Sequence, residues 1–224
     1  MHKEEIIEIM KGKEVIYNAL SDYFIHTIDN NNLNTLYDII NLILLNNLEN
    51  HSVVNNLYNV LKTYKNQTLE EQAKMIDNIN LSYTRLFCLG QCVAVSESVY
   101  LSQYHLTKQQ PEEEVEKIYK RYNFKIINQS NEPLDHISYE LKFMSYISKG
   151  IYTYLENNNI EKATELMVLQ KRFLQEHILL WLSMFINDIL IYEETMEFYK
   201  PLCLYLEYFV KNDEVFLSNI DNPI

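Results

Sequence analysis

Along most of this chain, apolar side chains return every three or four positions, the spacing that gathers them on one face of an α-helix. Ile6, Met10, Tyr17, Leu20 and Phe24 define a first helix, and Leu33, Leu36, Tyr37, Ile40 and Leu44 a second, with the polar run "DNNNLN" as the break between them. Ser52 is placed to cap a third helix carrying Val53, Leu57, Tyr58, Leu61 and Tyr64. Thr68 and Glu71 stand at capping-box spacing before a fourth, whose stripe is Leu69, Ala73, Ile76, Ile79, Tyr83 and Leu86 and whose end is expected near Gly90. The stretch "CLGQCVAVSESVYL" that follows reads as irregular or as the start of a new helix.

Pro111 with three glutamates behind it marks another first turn, where proline loses no hydrogen bond and acids complement the helix dipole. After the connection "NQSNEP", Asp135 is placed to N-cap a helix starting near His136 and carrying Ile137, Leu141, Met144, Ile147 and Ile151. Asn159 offers the next cap. Phe173, His177, Trp181 and Met184 then share one helical face, the first three reading as core, and a last helix is expected from about Glu193 to Val210. The asparagine-rich stretches at 30–34 and 156–159 read as loops and caps.

No strand-like alternation of any length interrupts this pattern. The expectation is an all-α fold, a single compact domain over residues 1–224 with roughly eight to ten helices. The internal division it suggests is an N-terminal part, 1–125, and a C-terminal part, 132–224, joined by the loop before Glu132. Composition agrees: 47% hydrophobic residues supply a core, while three glycines and four prolines are too few for the tight turns of a β or βαβ fold.

Charge narrows the partners. A net charge of -12 repels phosphate backbones, so nucleic acid is excluded, and a basic segment of another protein is the kind of partner it favours. Cys88, Cys92 and Cys203 make neither an even disulfide set nor a C-x-x-C pair, which fits a reducing compartment. The N-terminal stretch lacks the apolar core of a signal peptide, and no run reaches the eighteen or so apolar residues of a membrane span. The expected location is the cytoplasm, without membrane insertion.

Catalytic chemistry finds little support. His136 and Glu140 lie four apart on one helical face, and with Asp135 they suggest a metal fragment, but no complete ligand set such as H-E-x-x-H is present. Nucleophile elbow, P-loop and dinucleotide fingerprints are absent. No metal, cofactor or catalytic residue is expected.

Four stretches occur in one order: "YTRLF" at 83–87, "SESVYL" at 96–101, "EPLDHISYELKFM" at 132–144 and "FLQEHILLWLSMF" at 173–185. In that order they resemble the TorD/DmsD/NarJ family of redox-enzyme maturation chaperones, the E-P-x-D-H segment with E-L-x-F-M behind it being the most specific part. The chain differs between the first two stretches, where it carries no proline and has Ser96 in place of an aromatic. The resemblance implies an all-helical cytoplasmic chaperone, not an enzyme. Its partner would be the precursor of a molybdenum-cofactor oxidoreductase, bound through the twin-arginine signal, the apo-enzyme body or both, and held until cofactor insertion. Matched motif by motif, it places Tyr83, Leu86, Phe87, Ser96, Tyr100, Pro133, Asp135 and His136 around a signal-binding groove, with Glu97 and Glu140 as acidic contacts. A monomer and a domain-exchanged dimer both remain open. So do two other readings of the residues, a helical adaptor for some other amphipathic segment and an all-α metal enzyme using Asp135, His136 and Glu140.

Overall fold

The computed structural model describes residues 2–46, 51–89, 93–126, 131–192 and 197–220. Its elements are α1 (Lys3–Asp22), α2 (Asn30–Leu45), α3 (Ser52–Lys65), α4 (Leu69–Tyr83), α5 (Glu97–Leu101), α6 (Gln110–Arg121), α7 (Ile137–Glu156), α8 (Ile160–Phe173), α9 (Leu179–Leu190) and α10 (Tyr199–Asn219). Two π-helical turns, π1 (Thr84–Cys88) and π2 (Leu174–Ile178), follow α4 and α8 without a break. The class is all-α, and among the described residues the single β-bridge pairs Ser96 with His136.

The chain forms two compact units, each assembled from separated segments. The first comprises Met1–Ser21, Val95–Leu182 and Val210–Ile224; the second comprises Asp22–Ala94 and Ser183–Phe209.

In the first unit α7 is the central helix. Ile137, Leu141, Met144, Ile147 and Ile151 are all buried, as their spacing requires. α8 packs closely on α7 across a short turn, in which Asn158 takes the left-handed conformation that asparagine tolerates. Asn159 caps α8 by accepting the Lys162 N–H, as expected. Gly150 permits the close approach, since a Cβ there would lie 2.7 Å from Leu166 Cδ1. Rings of Tyr119, Phe143 and Phe173 fill the adjoining core, with Phe143 4.8 Å from each of the other two centroids. A buried ion pair joins Lys13 of α1 to Asp213 of α10, and the Tyr17 hydroxyl donates to the same carboxylate.

In the second unit, α2, α3 and α4 pack in succession around Leu33, Leu36, Ile40, Leu57, Leu61 and Tyr64. An aromatic cluster of Phe24, Phe87, Phe185 and Tyr199 completes the core. Asn80 holds the chain before α2 by bonding both the N–H and the carbonyl of Ile28, at 2.8 and 2.9 Å.

The local expectations hold unevenly. The Thr68–Glu71 capping box is present, and Pro111 sits in the first turn of α6. The third helix is capped by His51 rather than Ser52, because the chain is extended at His51 and its Nδ1 accepts the Val53 N–H. The asparagines after Asp29 are not a loop: Asp29 and Asn32 form a reciprocal capping box, and the helix starts at Asn30. Leu69 and Ala73 are exposed, so the core stripe of α4 begins only further along the helix. Met184 is 40% exposed, because the buried face of α9 centres on Leu182, Phe185, Ile186 and Ile189. The last helix runs on to Asn219. Gly90, Cys92 and the expected helix start at Glu193 lie outside the described residues.

Candidate functional site

The E-P-x-D-H segment makes a corner in the first unit where α5 meets the start of α7. Pro133 carries the chain into a turn closed by the His136 N–H on the Pro133 carbonyl, and Glu112 of α6 accepts the Leu134 N–H at 3.0 Å. The bridge then forms: Glu97 N–H donates to the Asp135 carbonyl and Ile137 N–H to the Val95 carbonyl. His136, not Asp135, is the N-cap of α7, with its Nδ1 accepting the Ser138 N–H at 3.1 Å. Asp135 caps a different helix, its Oδ2 accepting the Ser98 N–H in the first turn of α5 at 2.6 Å. The expected assignment of Asp135 to α7 is therefore corrected. α7 starts one residue later than the spacing implied, which turns the Asp135 carboxylate toward a helix end distant in sequence.

Both residues are buried, and burial shifts both titrations. Desolvation raises the Asp135 carboxyl from 3.8 to about 6, against the hydrogen bonds from Ser98 that favour its charged form. Desolvation also lowers His136 from 6.5 to about 3, which keeps Nδ1 free of a proton and able to accept the cap bond.

Behind this corner lies a polar cluster that the residue pattern did not reveal as one. Glu97 and Glu140, expected as acidic contacts, are 2% and 0% exposed. Nδ1 of His177, on π2, lies 3.0 Å from Glu97 Oε2, and Trp181 Nε1 donates to Glu140 Oε2 at 3.2 Å. Tyr100 of α5 stacks on the Trp181 indole at 5.3 Å. Burial, reinforced by the neighbouring Glu97, raises the Glu140 carboxyl well above the usual range. Phe173, His177 and Trp181 are core residues, as their spacing predicts. Ser96 is also buried, so among the expected residues of this unit Tyr100 and Pro133 are the partly accessible ones.

Tyr83, Leu86 and Phe87 belong to the second unit. Leu86 is buried, while Tyr83 and Phe87 are partly exposed and meet edge to face at 5.5 Å. Beside them opens a cavity of about 840 Å³ with a floor of Val60, Met75, Ile79, Leu81 and Phe198. Glu71, Lys74, Arg85 and Glu197 stand around it. None of these lining residues was singled out as a contact from the sequence, where they read as ordinary helix surface and core. Among the described residues no group of three potential ligands could hold a metal ion, and no helix is long and apolar enough to cross a membrane.

Comparison with known proteins identifies the family. Residues 50–187 match the family described as the nitrate reductase delta subunit, a span that includes every expected site residue. The chaperone protein TorD of Aliivibrio salmonicida is 27% identical over 121 residues, 54% of each chain. TorD of Vibrio atlanticus is 30% identical over 125 residues, again 54% of each. The match thus spans about half the length of these relatives. A solved structure from Archaeoglobus fulgidus, assigned to redox enzyme maturation, covers 92% of this chain and 94% of its own at 17% identity, with a TM-score of 0.49. With the profile matching more than half of its length, the chain belongs to the nitrate reductase delta subunit family, which takes in TorD and NarJ.

Proposed function

We propose that the protein is a redox-enzyme maturation chaperone, not itself an enzyme, that binds the twin-arginine signal of a molybdenum-cofactor oxidoreductase precursor in the cytoplasm and holds it until cofactor insertion. The observation that carries this reading is the family match over residues 50–187. The cofactor belongs to the client; the chaperone supplies only a surface.

That surface must offer apolar floor for the signal's hydrophobic run and carboxylates for its two guanidinium groups. The cavity of the second unit has both materials, with Val60, Met75, Ile79, Leu81 and Phe198 below and Glu71 and Glu197 at the sides. Lys74 also lines it, but its ammonium is already paired with Glu70 at 2.9 Å. Tyr83 and Phe87 in this unit, and Tyr100 and Pro133 in the other, are the accessible members of the motif set. The buried members, Leu86, Ser96, Asp135, His136, Glu97 and Glu140, would shape the surface rather than touch the client.

Burying three or four Leu-sized side chains at about 1.5–3 kcal/mol each, less the ordering cost, gives roughly micromolar affinity. Exposed arginine–carboxylate pairs add only about 0–1 kcal/mol each, so they orient the peptide and speed its arrival. The test is titration calorimetry with a twin-arginine signal peptide and its Lys-Lys variant, alongside affinity capture from cells expressing molybdenum enzymes. The arginine peptide should bind several-fold more tightly, and an uncleaved molybdoenzyme precursor should co-purify. Equal binding of any amphipathic helix would point to a general adaptor, and failure of both assays would leave the family as a fold assignment only.

A further inference from the structure

Within the first unit Glu97 and Glu140 are buried neighbours, and burial together with the Glu97 carboxylate disfavours a charge on Glu140. Both side chains are buried, and among the described residues no lysine or arginine pairs with either. The groups set against them are Tyr119 from α6, Asp135 from the turn before α7, His177 from π2 and the Trp181 indole from α9. Asp135 is a further carboxyl rather than a cation, and burial holds the neighbouring His136 neutral. The hydrogen bonds sort the pair. Glu97 receives the His177 ring nitrogen, and Glu140 Oε2 receives the indole N–H of Trp181. Glu140 Oε1 has no donor of its own.

A single proton resolves this arrangement. Placed between the two carboxyls it removes one charge, satisfies Glu140 Oε1 and leaves Glu97 to accept from His177. We propose that Glu140 is a positioning residue: as a neutral acid sharing one proton with Glu97, it joins α5 to α7 and fixes the Trp181 indole against which Tyr100 stacks. The placement of Tyr100 matters to client binding only on the chaperone reading given above; the shared proton itself does not depend on it. When pH rises, the proton passes to solvent, two like charges face each other across α5 and α7, and α5 with Tyr100 loosens from Trp181.

The chain contains one tryptophan, so its emission reports on this site without engineering. The experiment follows Trp181 fluorescence, excited at the red edge of the indole band, from about pH 5 to about pH 9 in the native protein and in Glu140→Gln and Glu140→Ala. The amide of Gln is an uncharged isostere that can still donate to Glu97 and accept from Trp181. The native protein should show one titration step, with emission moving to longer wavelength as pH rises; Glu140→Gln should stay at the low-pH position throughout; Glu140→Ala should sit at the loosened position at every pH. A native step that persists unchanged in Glu140→Gln, or no step in either, overturns the shared proton. In parallel, signal-peptide affinity is measured at both ends of the range. A several-fold loss at high pH in the native protein that Glu140→Gln abolishes supports the positioning role, and an affinity that ignores the fluorescence step overturns it. If the native protein binds no signal peptide at any pH, the chaperone reading and the coupling to Tyr100 fail together, while the fluorescence arm still decides the shared proton.

Discussion

Asp135 and His136 are neighbours whose buried side chains respond to pH in opposite senses. Asp135 rises from 3.8 to about 6, so the stability tied to its neutral form is complete below the lower value and is lost as pH climbs through the upper one. His136 falls from 6.5 to about 3, so its contribution is complete above the upper value and is lost as pH drops through the lower one. Over the range they share, the two slopes oppose and the contributions of this pair nearly cancel. His136→Asn should uncouple them, because the Asn Oδ1 can keep the cap bond to Ser138 while carrying no titrating proton. Urea unfolding of that variant should show stability falling between about pH 4 and pH 6 by on the order of 3 kcal/mol, since each tenfold change in proton affinity is worth about 1.4 kcal/mol. A profile parallel to the native one would mean that His136 is not held neutral. The sequence marked Asp135 as a cap, yet not for α5, because a carboxylate serving a helix end far upstream leaves no trace in the local spacing. Glu97 and Glu140 were likewise visible as acids near the motif; their burial was not, since it depends on α6, α7 and π2 arriving around them.

Helices with a wide apolar stripe and their own caps were the most legible elements. α7 is the clearest, and α4 shows why capping matters: Thr68 and Glu71 satisfy each other's backbone N–H groups at the start of a helix whose Glu71 also lines the cavity. Thr68→Ala should cost about 1 kcal/mol, roughly 2–4 °C in Tm for a chain of this size, and thermal unfolding by circular dichroism measures it. No change would mean that the first turn of α4 is already frayed. α5 is the opposite case. Five residues cannot hold a helix by themselves, and the bonds that Glu97 and Ser98 donate to Asp135 fix it, so no propensity window identifies it securely. The π turns were equally hidden. Phe173, His177 and Trp181 are spaced by four, which both an α-helix and a wider turn accommodate, and only the packing of π2 decides between them.

At the level of the whole chain, the all-α class followed from periodicity and from the scarcity of glycine and proline, whereas the assembly of each unit from distant segments did not. Apolar spacing says which face of a helix is buried but not against which partner. Lys13, Tyr17 and Asp213 make one such link in the first unit, and Lys13 also lies 3.7 Å over the Phe216 ring. Desolvation lowers the Lys13 ammonium from its usual value despite the attraction of Asp213, so removing that carboxylate leaves an uncompensated buried cation. Asp213→Ala should destabilise the protein by about 3–5 kcal/mol, while Lys13→Met combined with Asp213→Leu should recover most of the loss. Comparable costs for the single and double variants, read from denaturant midpoints, would deny the pairing. Synthesis runs from one end of the chain to the other, and here it imposes a wait. The apolar face of α1 emerges well before its anchor, because Asp213 is translated 200 positions after Lys13 (213 minus 13), about 10–40 s later at ordinary elongation rates. Throughout that interval the growing polypeptide carries an exposed greasy helix of its own, the same kind of hazard that, on the function proposed above, it is built to shield in its client.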